Sequence, residues 1–131
     1  MLVKQVWVIA NLCPVCNHVR MKSLNTWCKD IHELAKGKGW YDTDLPVRSA
    51  LENHALIHSE VAEATEEVRA DKPYFYRDAT FKPEGEAVEL ADAVIRIMDY
   101  FAYRGWDLEW IIKEKFEYNM TRPYRHGGKK L

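Results

Sequence analysis

A chain of 131 residues, 47% hydrophobic and 30% charged, has the size and balance of one ordinary globular domain. Its net charge of -1 supplies no overall basic field to attract a nucleic-acid backbone. No stretch reaches the roughly 20 apolar residues that cross a bilayer, and three cysteines, an odd number, do not form a disulfide framework, so the expected setting is a reducing cytoplasm.

Residues 1–20 read as an N-terminal extension. They hold a short β-prone run at Val6–Ile9 and a turn at Cys13-x-x-Cys16, and are too short and poorly flanked for a secretory signal. The domain proper is expected over 21–131. Ser23 is a good N-cap, and Leu24, Trp27, Cys28, Ile31, Leu34 and Ala35 repeat with a helical period up to Gly37 and Gly39. After a loop at Trp40–Asp44, Pro46 suits the first turn of a long second helix reaching about Ala70. Tyr74 to Pro83 is expected to be a loop or irregular connector. A third helix runs from near Glu84 to about Arg104, stopped by Gly105, with Val88, Ala91, Val94/Ile95, Met98 and Phe101/Ala102 as its expected buried stripe. Asp107 caps a fourth helix through about Met120, with Leu108, Ile111, Ile112 and Phe116 expected inward, and a basic tail follows. The expected fold is all-α, a four-helix bundle.

Two carboxylate motifs stand out, Glu60-x-x-Glu63 on the second helix and Glu89-x-x-Asp92 on the third. Residues three apart share a helix face, so each motif points two acids one way, beside apolar neighbours such as Ala64 and Val94. The 26 positions from Glu63 to Glu89 allow a helix end, a connector and an antiparallel return that sets the pairs opposite each other. Four converging carboxylates repel one another unless a cation neutralises them, and an all-oxygen set suits Mg²⁺, with Mn²⁺ as a substitute. Solvated or salt-bridged helix faces are the plainer reading of the same spacing.

E-x-x-E on one helix followed by E-x-x-D on the next resembles the all-α nucleoside triphosphate pyrophosphohydrolase superfamily. Trp40, after a Gly-rich helix end, resembles the loop before that superfamily's second helix. Lys115, Asn119 and Arg122 resemble its K-x-x-x-N-x-x-R pattern on the last helix. Over about Met21 to Leu131 the nearest resemblance is to short MazG-like proteins, including the ending Arg122 to Lys129. The resemblance implies a MazG-type domain that hydrolyses nucleoside triphosphates between the α and β phosphates, giving the monophosphate and pyrophosphate and clearing surplus or non-standard nucleotides from the pool. It implies Glu60, Glu63, Glu89 and Asp92 as Mg²⁺ ligands, and Lys115, Asn119 and Arg122 as substrate contacts. Charge alone adds Arg125, Lys129 and Lys130, and Trp40 is the first choice for stacking on the base. The proton of the attacking water is assigned to Glu60, although the sequence does not separate it from Glu63. A homodimer or dimer of dimers is implied, with the tail of one copy completing the site of another.

Other readings carry less. His54 and His58 are four apart, but no Glu lies in the H-E-x-x-H position, and the Glu-x-x-His of di-iron bundles is absent. Cys13, Cys16, Cys28 and His32 have the spacing of a small zinc site, yet Cys28 also falls on the apolar stripe. Glu66 and Glu67 fit surface positions, and Asp99, two turns beyond Asp92 on roughly the same face, is read as either a group supporting the ligands or a simple polar contact, not as a ligand. Long insertions typical of dimeric dUTPases are missing, which disfavours a dUTP-type specificity. The alternative of another class is a non-catalytic helical protein that binds nucleotide or a regulatory partner.

Overall fold

A computed structural model of the chain describes residues 22–125. The extension, the Cys13/Cys16 pair and Lys129/Lys130 lie outside the described residues. Four helices carry the fold: α1 (Leu24–Gly37), α2 (Ala50–Arg69), α3 (Glu86–Arg104) and α4 (Leu108–Met120). A two-residue-per-strand antiparallel hairpin, β1 (Tyr76–Arg77) and β2 (Pro83–Glu84), joins α2 to α3 where the sequence suggested an irregular connector. No helix among the described residues is long and apolar enough to cross a membrane.

Local chemistry sets most helix ends. The Ser23 hydroxyl accepts from Thr26 N at the start of α1, and the Asp107 carboxylate accepts from Trp110 N at the start of α4. Gly105 stops α3 in the left-handed region, with φ 66°. The second helix starts later than Pro46 suggested. Ser49 and Glu52 form a reciprocal capping box, the Ser49 side chain accepting from Glu52 N while the Glu52 carboxylate accepts from Ser49 N, so residues 46–48 stay outside the helix. Ser49→Ala is expected to cost about 1 kcal/mol, read as a lower denaturation midpoint with an unchanged slope.

α3 is the central element and packs against both α1 and α2. Side-chain contacts fix the directions. Asn25 meets Asp107 and His32 meets Asp99, while His54 meets Tyr100 and Glu60 meets Arg96. In both pairs of contacts the partner number falls as the first rises, so α1 and α2 each run antiparallel to α3 and parallel to each other. The segment 38–49 therefore travels back along the bundle instead of making a tight turn. At the other end, α1 and α4 cap each other: the Asn25 amide oxygen accepts from Leu108 N and Glu109 N, and the Glu109 carboxylate accepts from Leu24 N.

The interior face of α3 differs from the expected stripe. Glu89, Ala93 and Tyr100 are its buried residues, whereas Ala91, Val94 and Ile95 are exposed on the opposite side. On α4 only Leu108 is buried; Ile111, Ile112 and Phe116, expected inward, are 42%, 48% and 62% exposed. The reason is geometric. Among the described residues α4 is anchored through its first turn against α1, and α3 packs against α1 and α2 while Val94 and Ile95 on its far side stay exposed. Among the described residues the buried hydrophobic set of a single chain is accordingly small: Cys28, Ala64, Ala93, Tyr100 and Leu108.

Candidate metal and phosphate site

Two carboxylates, Glu60 and Glu89, are as deeply buried as the apolar core, each with 6% of its surface exposed. Glu60 lies beside Ala64 on the inner face of α2, one turn apart, and Glu89 lies in the first turn of α3. Gly85 places that turn. Its φ is +114°, and a Cβ there would fall 2.6 Å from the Tyr74 carbonyl oxygen, so the chain passes the end of α2 closely and brings the α3 start alongside it.

Carboxylate oxygens of Glu60, Glu63 and Glu89 lie within 4.8 Å of one another, and this three-acid group could hold a metal ion. Asp92, the fourth expected ligand, is not part of that group, but it is half-buried one turn along α3 and feels its charge. Burial pushes the Glu89 carboxyl up, and the negative charges of Glu63, Asp92, Glu84 and Glu60 add to the rise. Burial also raises Asp92, followed by Glu60, while Arg96 and Lys82 pull it down. Ionised together in low-dielectric surroundings, these acids are a stressed arrangement that a divalent cation would relieve.

Arg96 is the one side chain that directly offsets the charge of Glu60 among the described residues. Its Nε donates to Glu60 Oε1 at 2.5 Å. The hairpin adds Lys82, paired with Glu84 at 2.6 Å, at the rim of the cluster. None of these three was singled out in the sequence. Arg96 had a signal, since it follows Asp92 by four and Glu89 by seven, the spacing of one helix face.

Further along the same face of α3 lies a second constellation. Asp99 bonds His32 Nδ1 at 2.7 Å through one oxygen and accepts from the Tyr41 hydroxyl at 2.6 Å through the other. It therefore ties α1 and the 38–49 segment to α3. Tyr41 stacks on Tyr103, with centroids 5.4 Å apart, and its phenol is pushed well above the usual range, first by burial and then by the bond to Asp99. Trp40, Tyr41, Pro46, Arg48, Asn53 and Tyr103 line a cleft here, with the Arg48 guanidinium 5.3 Å from the centre of the Trp40 ring. Trp40 thus lines an aromatic cleft separate from the carboxylate group.

The expected basic contacts on α4 are not brought to the carboxylates within one chain. Lys115 lies over the Tyr118 ring of its own helix, Asn119 contributes its backbone carbonyl to the helix end, and Arg125 lies over Tyr124. Among the described residues, none of Lys115, Asn119, Arg122 and Arg125 has an ion pair or side-chain hydrogen bond to Glu60, Glu63, Glu89 or Asp92. The physical cause is the attachment of α4 by its N-terminal turn to the α1 start, which lies against the C-terminal end of α3, away from Glu89. Of the residues with zinc-like spacing, Cys28 is buried with its thiol pushed up chiefly by that burial, and His32 bonds Asp99; Cys13 and Cys16 lie outside the described residues.

The chain matches no protein-family model, no curated protein and no solved structure.

Proposed function

We propose that this protein is a Mg²⁺-dependent nucleoside triphosphate pyrophosphohydrolase of MazG-like type, cleaving between the α and β phosphates to give a nucleoside monophosphate and pyrophosphate. The observation that carries the reading is the convergence of buried Glu60 and Glu89 with Glu63 across two antiparallel helices, within 4.8 Å. Two buried carboxylates beside a third acid are costly to ionise without an opposing charge, and Arg96 is the only cation bonded to them among the described residues. Asp92, one turn away, completes the fourfold set.

When bound, Mg²⁺ supplies charge neutralisation at the phosphate oxygens and polarises a water for in-line attack. Glu60, Glu63 and Glu89, with Asp92 one turn aside, would hold it. Glu63 is exposed and has no hydrogen-bond partner among the described residues, so it faces the solvent from which the water comes. Glu60 already accepts from Arg96 with one oxygen. We therefore give the proton of the attacking water to Glu63, the residue that the motif alone did not separate from Glu60. The aromatic cleft at Trp40, Tyr41 and Tyr103 takes the base. From Asp92 to Tyr103 the helix rises about 16 Å, the scale of an extended nucleotide.

A homo-oligomer belongs to the same proposal. The uncovered apolar sides of α3 and α4 are the surface that a second copy would bury, and such an assembly would carry Lys115, Asn119, Arg122 and the tail with Arg125 and Lys129 toward a neighbouring cluster. Removal of surplus nucleotides in a cytoplasmic setting is the corresponding role. The test is pyrophosphate release from a panel of ribo- and deoxyribonucleoside triphosphates, with Mg²⁺ and with EDTA. Metal-dependent release with the monophosphate as coproduct is expected. Release of orthophosphate instead would overturn the assignment in favour of cleavage at a terminal phosphate, and no release from any nucleotide would overturn it in favour of a non-catalytic nucleotide-binding protein.

A further inference from the structure

Residues Glu89, Asp92, Arg96, Asp99 and Tyr103 follow each other on α3 at intervals of three, four, three and four, so they form one row along a single helix face. The row begins at the carboxylate cluster and ends at the aromatic cleft, with Arg96 between them. We infer that Arg96 is a substrate-binding residue whose guanidinium holds the phosphate nearest the nucleoside. This rests on the proposed reading insofar as the ligand is a phosphate ester reaching from the cluster to the cleft.

Three features of the side chain carry the inference. Its Nε is fixed by Glu60 Oε1, so the guanidinium plane has a defined orientation before any ligand arrives. Its two terminal nitrogens have no partner among the described residues, which leaves four of the five N–H donors unused. The side chain is 40% exposed although its partner carboxylate is 8% exposed, so the unused fork is open to solvent while its root is sheltered. A planar cation anchored on one edge and open on the other matches two oxygens of a phosphate group. A cation meant only to neutralise Glu60 would place its fork on the carboxylate. The other cations near the row are less suited: Lys82 is engaged by Glu84 at the hairpin, and Arg48 lies on the Trp40 ring.

The test separates this role from simple support of Glu60. Arg96→Lys keeps a positive charge within reach of Glu60 but lacks the fork, and Arg96→Met removes both. Binding of Mn²⁺ alone, of inorganic pyrophosphate, and of the eight common ribo- and deoxyribonucleoside monophosphates is measured by calorimetry on the full chain, with no turnover involved. Arg96→Lys is expected to leave Mn²⁺ and pyrophosphate binding unchanged and to weaken monophosphate binding about 10- to 100-fold, the worth of hydrogen bonds to a charged group. Equal monophosphate affinity in Arg96→Lys and the parent would overturn the inference. So would a loss of Mn²⁺ binding in step with monophosphate binding, because Arg96 would then act only through Glu60. A parent protein that binds no monophosphate also overturns it. Monophosphate binding lost in Arg96→Lys, in a parent that cleaves no triphosphate, would support the phosphate contact while sinking the proposed reaction.

Discussion

Glu60→Gln is expected to lower metal-dependent pyrophosphate release by about 10³-fold, on the scale of the several kcal/mol of charge stabilisation a bound metal supplies, while leaving the fold intact. Glu60 is the inner member of the cluster, buried against Ala64 and paired with Arg96. Glutamine has nearly the same shape and keeps an oxygen that accepts from Arg96 Nε, so packing around α2 is retained. What disappears is one negative charge facing Glu63 and Glu89. Because the bonded guanidinium is 40% exposed, water screens the loss of its partner and the stability change should stay within about 1 kcal/mol. Steady-state release at saturating Mg²⁺, with a circular-dichroism melt of the same sample, checks both halves. Turnover close to that of the parent would remove Glu60 from the mechanism.

Mg²⁺ is expected to stabilise the folded protein strongly at neutral pH and progressively less as the solution is acidified. Glu89 and Asp92 have their carboxyls raised above the ordinary range, chiefly by burial. Between the ordinary and the raised values the folded state holds protons that the unfolded chain has released. Their contribution is therefore complete below the ordinary carboxylate range and is lost as pH rises through the raised values. At neutral pH without a cation, the folded protein bears the full repulsion of the cluster. Metal-free melting temperature should rise as pH falls from neutral toward the raised carboxylate values. Further acidification reverses the trend, because Asp107, held below its usual range first by the Asn25 amide, and Glu67, held down first by Lys72, lose their favourable contacts on protonation. With Mg²⁺ at a hundred times its dissociation constant the gain is about 2.7 kcal/mol. For a domain of this size that is on the order of 10 °C in melting temperature. Protons and Mg²⁺ compete for the same oxygens, so the increment shrinks on the acid side. Thermal scans across pH with Mg²⁺ and with EDTA make the comparison, and superimposable curves would sink the metal assignment.

The helix ends written in short local chemistry could be read directly: Ser23 and Asp107 as N-caps and Gly105 as a stop act on residues within four positions of themselves. The start of α2 was misplaced because Pro46 is an acceptable first-turn residue, yet the reciprocal Ser49/Glu52 bonds win by satisfying two backbone donors. The inward face of α3 was misread for a different reason. Its apolar residues are more numerous on the side away from α1 and α2, and two of the residues facing inward are Glu89 and Arg96, which hydrophobic periodicity assigns to solvent. Asp99 gave no local sign that it would join His32 to Tyr41, residues 67 and 58 positions away.

The sequence by itself determined that the described residues make four helices and that Glu60/Glu63 and Glu89/Asp92 are each aligned on one helix face, because helical periodicity and capping are properties of neighbouring residues. Only the tertiary structure decided which acids meet. The antiparallel register of α2 against α3 and the tight passage at Gly85 gather Glu60, Glu63 and Glu89, set Asp92 one turn aside, and bring Arg96 onto Glu60. The same register leaves the K-x-x-x-N-x-x-R residues of α4 outside the cluster of their own chain. Such convergence depends on long-range packing and on where a 12-residue return segment lays Trp40 and Tyr41, and no local pattern encodes either.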